Sequence, residues 1–177
     1  MRRLLAVCVL ALCGIATIAA PAQATHNTGT GPGYDFVDGT GNLFASLPPF
    51  GPFDIRLHVN GRTAANGQNP RGRFWTSLDS TLVDLTVELS GTLTCLRVEN
   101  HNVSLSGVIE RSSLGFPAVG SGIFAFGVDN GEGANSSGDG VLGVPIGTPM
   151  HNCPQPVSDG VLIRQGNFVA HDAQFVP

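Results

Sequence analysis

Strict alternation of apolar and polar residues dominates the chain from Phe53 onward. In Asp54-Ile55-Arg56-Leu57-His58-Val59-Asn60 the apolar side chains Ile55, Leu57 and Val59 share one parity. A period of two is the signature of a half-buried strand. Asn60-Gly61 reads as a turn after it, and Arg71 to Leu78 as the next strand. The longest regular stretch runs from Leu82 to Asn100. Val83, Leu85, Val87, Leu89, Gly91, Leu93 and Cys95 occupy one parity, and Asp84, Thr86, Glu88, Ser90, Thr92 and Thr94 the other. It is long for one strand, so a bend is expected near Ser90-Gly91. After Cys95 the parity inverts, with Leu96 and Val98 apolar and Arg97 and Glu99 charged. One inserted residue, a β-bulge, produces such an inversion.

Glu99-Asn100-His101-Asn102 predicts a turn, and Val103, Leu105, Gly107 and Ile109 resume the alternation as the return strand of a hairpin. Gly122 to Val128 is apolar on both parities and predicts a central strand, with Gly140 to Ile146 as its hairpin partner. Gly147 to Ser158 is a proline-rich crossing loop. Gly160 to Val169 predicts the last strand, bulged or broken at Gly166. No stretch of ten or more residues carries a 3.6-residue apolar period. The expected fold is all-β, a single antiparallel β-sandwich or barrel of about seven to eight strands, within residues 51–175. Residues 25–50 are rich in Gly, Thr and Pro and predict a flexible leader, with at most a short irregular strand through Tyr34, Phe36 and Val37.

Residues 1–24 change the picture of where the chain works. Arg2 and Arg3 precede an apolar run from Leu4 to Ile18, and Ala22-Gln23-Ala24 has the small-x-small form of a cleavage site, so the segment reads as a secretory signal peptide. The run is short for a membrane span. Cleavage after Ala24 would leave residues 25–177, with seven arginines, thirteen acids and a formal charge of −6 against −4 for the 177-residue chain. The chain contains no lysine. That balance gives no footprint for nucleic acid, and the mature chain carries no predicted transmembrane segment. Cys8 and Cys13 fall in the signal peptide. Cys95 and Cys153 remain, and in an exported protein two cysteines most simply form one disulfide. Such a bridge closes a loop of 58 residues and adds about 4 kcal/mol on chain-entropy arithmetic.

Candidate chemistry is sparse. Val128 to Gly140 reads VDNGEGANSSGDG, in which Asp129, Asn130, Glu132 and Asp139 offer hard oxygens suited to Ca²⁺. The EF-hand pattern is absent, because Gly131 and Gly133 stand where ligands should be, and a solvated hairpin loop explains the same composition. Apart from this Ca²⁺ alternative, no cofactor or metal is expected. The five histidines are scattered, and Met150-His151-Asn152-Cys153 lacks the order of a copper loop. No GxSxG nucleophile elbow occurs. Asp84 and Glu88 share a polar strand face and give a carboxylate pair of the kind glycoside hydrolysis needs. Trp75, the only tryptophan, sits beside Phe74, and one of two strand neighbours must face outward, where a ring can stack on a sugar.

The ordered set Gly91-Thr92-Leu93-Thr94-Cys95-Leu96-Arg97-Val98, Val128-Asp129-Asn130-Gly131-Glu132-Gly133 with Asp139, Cys153, and Gly166-Asn167-Phe168-Val169-Ala170-His171-Asp172-Ala173 resembles a group of uncharacterised small secreted bacterial all-β proteins. Their shared motifs are TCLxV, DNGExG and a terminal GNxxxHDA. The resemblance spans residues 53–173 and implies export and an all-β domain; it carries over neither an activity nor catalytic residues. The function expected is that of a secreted, non-catalytic β domain with a structural or binding role. Two alternatives stand beside it, a module binding a polysaccharide or cell-envelope surface, and a secreted hydrolase with a carboxylate pair.

Overall fold

The structure is a computed structural model, and it describes residues 33–47, 51–64, 67–80, 82, 84–131, 138–158 and 161–173. The signal peptide, the first part of the leader and Glu132 lie outside the described residues. Among the described residues there is no helix and no element long and apolar enough to cross a membrane as one.

Nine strands form one antiparallel sheet: β1 (Tyr34–Leu47), β2 (Gly51–Ala64), β3 (Gln68–Ser80), β4 (Thr86–Glu99), β5 (Asn102–Ser112), β6 (Gly122–Val128), β7 (Gly140–Ile146), β8 (Val161–Leu162) and β9 (Gln165–His171). Their order is β8-β7-β6-β5-β4-β3-β2-β1-β9. Consecutive strands pair throughout, except that the chain steps from one edge of the sheet at β8 to the other at β9 through only Ile163 and Arg164. The sheet therefore curls into a half-barrel whose two edges meet at that step. A sandwich of two sheets, one of the two expected architectures, is not what forms, and the nine strands exceed the expected seven to eight because the final strand is split into β8 and β9.

The inner face follows the alternation. Ile55, Leu57 and Val59 of β2 lie opposite Leu78, Thr76 and Phe74 of β3, and all point inward. The bulge predicted near Cys95 is present: Leu93 pairs with Gly107 but Cys95 pairs with Ser106, leaving Thr94 extra. The insertion turns Cys95 and Arg97 outward and returns Leu96 and Val98 to the core. A second register shift lies at Ser90/Gly91, where the bend was expected. Asn100 takes φ 57 in the β4–β5 turn, a conformation asparagine tolerates.

Three expectations are corrected. Residues 34–47, read as leader, are the 14-residue strand β1 and belong to the sheet. The inward positions of β1 include Gly39 and Gly41 in place of apolar side chains. A Cβ at Gly39 would stand 2.7 Å from the Phe168 ring and one at Gly41 2.8 Å from Ile163, so the core there is filled from β9 and its approach, and the apolar period of β1 disappears. Asn60-Gly61 is not a turn, because β2 runs on to Ala64. Asp84 precedes β4, which begins at Thr86, so Asp84 and Glu88 do not share a strand face.

The same large-on-small packing recurs at two phenylalanines. Phe74 sits over Gly91 and Gly107, where added Cβ atoms would approach its ring to 2.9 and 2.7 Å. Phe168 sits between Gly39 of β1 and Gly127 of β6, 2.8 Å from where a Gly127 Cβ would lie. Phe168 thus spans the gap between the two ends of the curled sheet.

The crossing loop after β7 lies over the outer face of β4 and β5. Cys153 is bonded to Cys95. Thr94 Oγ1 donates to the Met150 carbonyl at 2.6 Å, and Ser104 Oγ donates to the Pro154 carbonyl at 2.6 Å. Ser106 Oγ donates to the Ile123 carbonyl and accepts the Met150 N–H. These outward serines are fully buried under the strap, so every polar atom named has a partner, as burial demands.

Replacing Cys95 and Cys153 together by alanine should lower the unfolding free energy by about 4 kcal/mol, read by urea denaturation. Gly127→Ala should destabilise the wild-type chain but cost much less in a Phe168→Ala background, because the added methyl then enters vacated space. A double-mutant cycle on the four proteins measures this coupling, and simple additivity would contradict the packing.

Candidate functional site

The acidic loop joins β6 to β7, as its sequence setting predicts, and its two aspartates do a specific task. Asp139 Oδ2 accepts the backbone N–H of Phe168 at 2.9 Å, and its Oδ1 accepts that of Asn130 at 3.0 Å. Asp129 Oδ2 accepts the N–H of Ala170 at 3.0 Å, and its Oδ1 accepts that of Gly131 at 2.9 Å. Asn130 Nδ2 also donates to the Gly138 carbonyl. Phe168 and Ala170 are two apart on β9, so their N–H groups leave the strand on one edge, away from β1. With no strand beside that edge, the carboxylates stand in for its acceptors. Charge-assisted bonds of this kind are about twice as strong as neutral ones.

Of the residues proposed for a cation, Asp129, Asn130 and Asp139 are thus brought together as a clasp on β9. Each of the four carboxylate oxygens already accepts an N–H. Among the described residues, no group of three or more His, Cys, Asp or Glu is placed to hold a metal ion.

The terminal HDA segment completes the fastening. Asp172 Oδ2 accepts the Asn100 N–H at 2.8 Å, and Asp35 Oδ1 accepts the Ala173 N–H at 2.9 Å. The His171 ring stacks on Phe36 with centroids 5.2 Å apart. Asp35 is only 1 % exposed. Burial holds its carboxyl above the ordinary value of 3.8, assisted by the charge of Asp172 and opposed by backbone N–H groups of Ala173 and Val98 and by His171. Asp35 was not singled out in the sequence. Only its inward parity with Val37 hinted at burial.

Besides a shallow groove along Tyr34, Phe36, Asn60, Arg62 and Arg71, two concavities stand out among the described residues. A polar cleft of about 500 Å³ beside the disulfide is lined by Asp35, Arg97, Glu99, His151, Asn152 and Asp172. Its charges are largely engaged within the protein: Arg97 pairs with Glu99, which also accepts from Gln155, and Asp35 and Asp172 hold backbone amides. The other is the lumen of the half-barrel, an apolar cavity of about 160 Å³ faced by Leu57, Val59, Phe74, Leu89, Ala125 and Phe168, among others. Thr76 brings a hydroxyl to it, and that hydroxyl donates to the Arg56 carbonyl at 3.0 Å.

Burial of the inward side chains is uneven along the lumen. At the end carrying the β4–β5 and β6–β7 turns, Val37, Leu93, Leu96, Val98 and Val103 are buried and packed. Toward the opposite end Leu43 and Phe53 are buried as well, while Ile55, Leu57, Leu78, Val87 and Ile123 point inward, pack on the core and stay half-buried. The lumen was not visible in the sequence, since alternation reports which side chains face in and not whether they meet.

Trp75 lies on the outer face of β3, between His58 of β2 and Ser90 of β4. It is half-buried there, while Phe74 takes the inward place. The cysteines meet as predicted. No protein-family model matches the chain, and neither a curated protein nor a solved structure matches it.

Asp129→Asn and Asp139→Asn each replace one acceptor oxygen by an NH₂ group, and each should lower stability by about 1–3 kcal/mol. The melting temperature of the wild type should be the same in millimolar Ca²⁺ and in chelator. A calcium-dependent rise would show that the loop binds the ion in the folded state. Asp35 contributes a pH dependence of known sign. Its folded value is raised, so the proton is held more tightly in the folded state. Its contribution is most favourable below 3.8 and declines as pH rises through the folded value. Asp35→Asn keeps an acceptor for Ala173 without the charge, so relative to the wild type it should gain stability as the pH rises above the ordinary carboxylate value of 3.8, measured by denaturation across a pH series.

Proposed function

We propose that this chain is an exported, non-catalytic binding domain whose ligand is a small apolar molecule held in the lumen of the half-barrel. The observation that carries the reading is the apolar cavity of about 160 Å³, bounded by the packed core and lined in part by half-buried aliphatic side chains. A buried apolar cavity of about 150 Å³ stays dry and takes up benzene. The ligand class that fits is a monocyclic aromatic or the end of an alkyl chain, below the size range of ordinary drug-like ligands. Thr76 is committed to the backbone, so binding would rest on shape and exclusion of water. The disulfide suits an oxidising compartment, which supports export.

The polysaccharide-binding alternative would rest on Trp75, and its half-buried position on the outer face gives that reading little area to stack on. The hydrolase alternative loses its proposed pair, since Asp84 lies outside β4.

Addition of benzene or indole should raise the melting temperature and shift methyl NMR resonances of Leu57, Leu89 and Ala125. Ala125→Ile, which extends into the lumen, should abolish both responses while leaving the chain folded. Absence of any shift in the wild type at saturating benzene and indole would overturn the reading.

A further inference from the structure

The groove on the outer face of β1, β2 and β3 is lined by Tyr34, Phe36, Asp38, Asn60, Arg62 and Arg71 and has a volume of about 470 Å³. Strand register brings these residues together. Phe36 lies opposite Arg62, Arg62 opposite Arg71, and Asp38 opposite Asn60. Arg73, two residues beyond Arg71 on the same face, lies between Asn60 and Thr92, both uncharged. A chain without lysine thus gathers three of its nine arginines in one patch. The ion pairs among the described residues are Arg56–Asp79 and Arg97–Glu99, so none of their carboxylates neutralises Arg62, Arg71 or Arg73. Asp38 is the one acid among the described residues of the lining. Like charges directly opposite on a ladder destabilise a sheet, so the facing pair Arg62 and Arg71 is not explained by the fold.

An aromatic wall stands beside these charges. The Tyr34 ring is exposed, and its centroid lies 6.4 Å from that of Phe36. Phe36 is held by the His171 ring, stacked on it at 5.2 Å. The groove therefore offers guanidinium forks, an aromatic surface, and the Asn60 amide and Asp38 carboxylate as partners for hydroxyl groups. A guanidinium matches a carboxylate or a tetrahedral oxyanion through two parallel hydrogen bonds. A bare inorganic anion would leave the aromatic wall and Asp38 unused, and a neutral sugar would leave the arginines unused. We infer that the groove binds a sugar residue bearing a carboxylate or sulfate group, with the anion between Arg62 and Arg71 and the sugar ring against Tyr34. The net negative charge of the chain does not oppose this strongly. Charge at a distance is screened within about 8 Å at physiological ionic strength, whereas the guanidinium contacts are direct. The groove lies on the opposite face of the sheet from the lumen, so the inference does not depend on a lumen ligand.

Isothermal titration calorimetry with four probes tests it: trigalacturonate, a sulfated heparin disaccharide, neutral cellotriose and inorganic sulfate. At least one of the two acidic saccharides should bind, and which of them binds tighter identifies the anionic group. Cellotriose and sulfate should bind far more weakly. Arg62→Gln and Arg71→Gln should each lower the affinity for the acidic saccharide by at least about tenfold, and Tyr34→Ala should lower it as well. Benzene should leave it unchanged. In the free protein Arg62→Gln should raise the melting temperature, because it relieves the facing charges, so its loss of affinity is not a loss of fold. Failure of both acidic saccharides to bind would overturn the proposal. So would cellotriose binding as tightly as they do, or sulfate binding as tightly with no effect of Tyr34→Ala, which would leave an adventitious ion only. A lower melting temperature in Arg62→Gln would make the arginine pair part of the fold and overturn it too.

Discussion

The half-barrel depends on how the free edge of β9 is satisfied. β9 pairs with β1 on one side, and on the other its buried residues Phe168 and Ala170 present N–H groups with no neighbouring strand to receive them. A buried amide left unpaired costs about 1–3 kcal/mol, and an open edge invites pairing with another chain. Asp139 and Asp129 remove both problems by bringing carboxylate oxygens to 2.9 and 3.0 Å of those amides. The side chain of Phe168 can then sit between Gly39 and Gly127 and bridge the two ends of the sheet. Without that bridge the curled sheet would have no inside.

From this closure the remaining features follow. Closing one end by Leu93, Leu96, Val98 and Val103 and fastening the terminal strand leaves a space further along that the inward aliphatic side chains do not fill. The strap over β4 and β5, fixed by the disulfide and by Thr94 and Ser104, stiffens the wall opposite the seam. Stability is thus concentrated at one end and on the outer wall. The β3–β4 and β5–β6 connections lie at the other end.

Sequence patterning made most of the wall legible. β2, β4 and β5 announce themselves by alternation, the bulge at Thr94 by the parity change after Cys95, and the β6–β7 hairpin by its flanking apolar runs. β1 was hidden for a physical reason: Gly39 and Gly41 occupy inward positions whose volume belongs to Phe168 and Ile163, so the expected apolar period is absent. The acidic loop was legible as a hairpin connection and as a cluster of oxygens. Its task was not, because the amides it holds lie 29 and 41 residues away from the acids that hold them. Amides carry no side-chain signature. The fold brings Asp129 and Asp139 of the acidic loop into contact with Phe168 and Ala170 of the last strand.

Amide hydrogen exchange at Phe168 and Ala170 tests the closure most directly. Both amides lie on the outermost edge of the sheet order, where exchange is ordinarily fast. If the carboxylates of Asp139 and Asp129 hold them, their protection should equal that of the central β3–β4 ladder, and it should fall selectively at Phe168 in Asp139→Asn and at Ala170 in Asp129→Asn. Fast exchange of both amides in the wild-type chain would contradict the account.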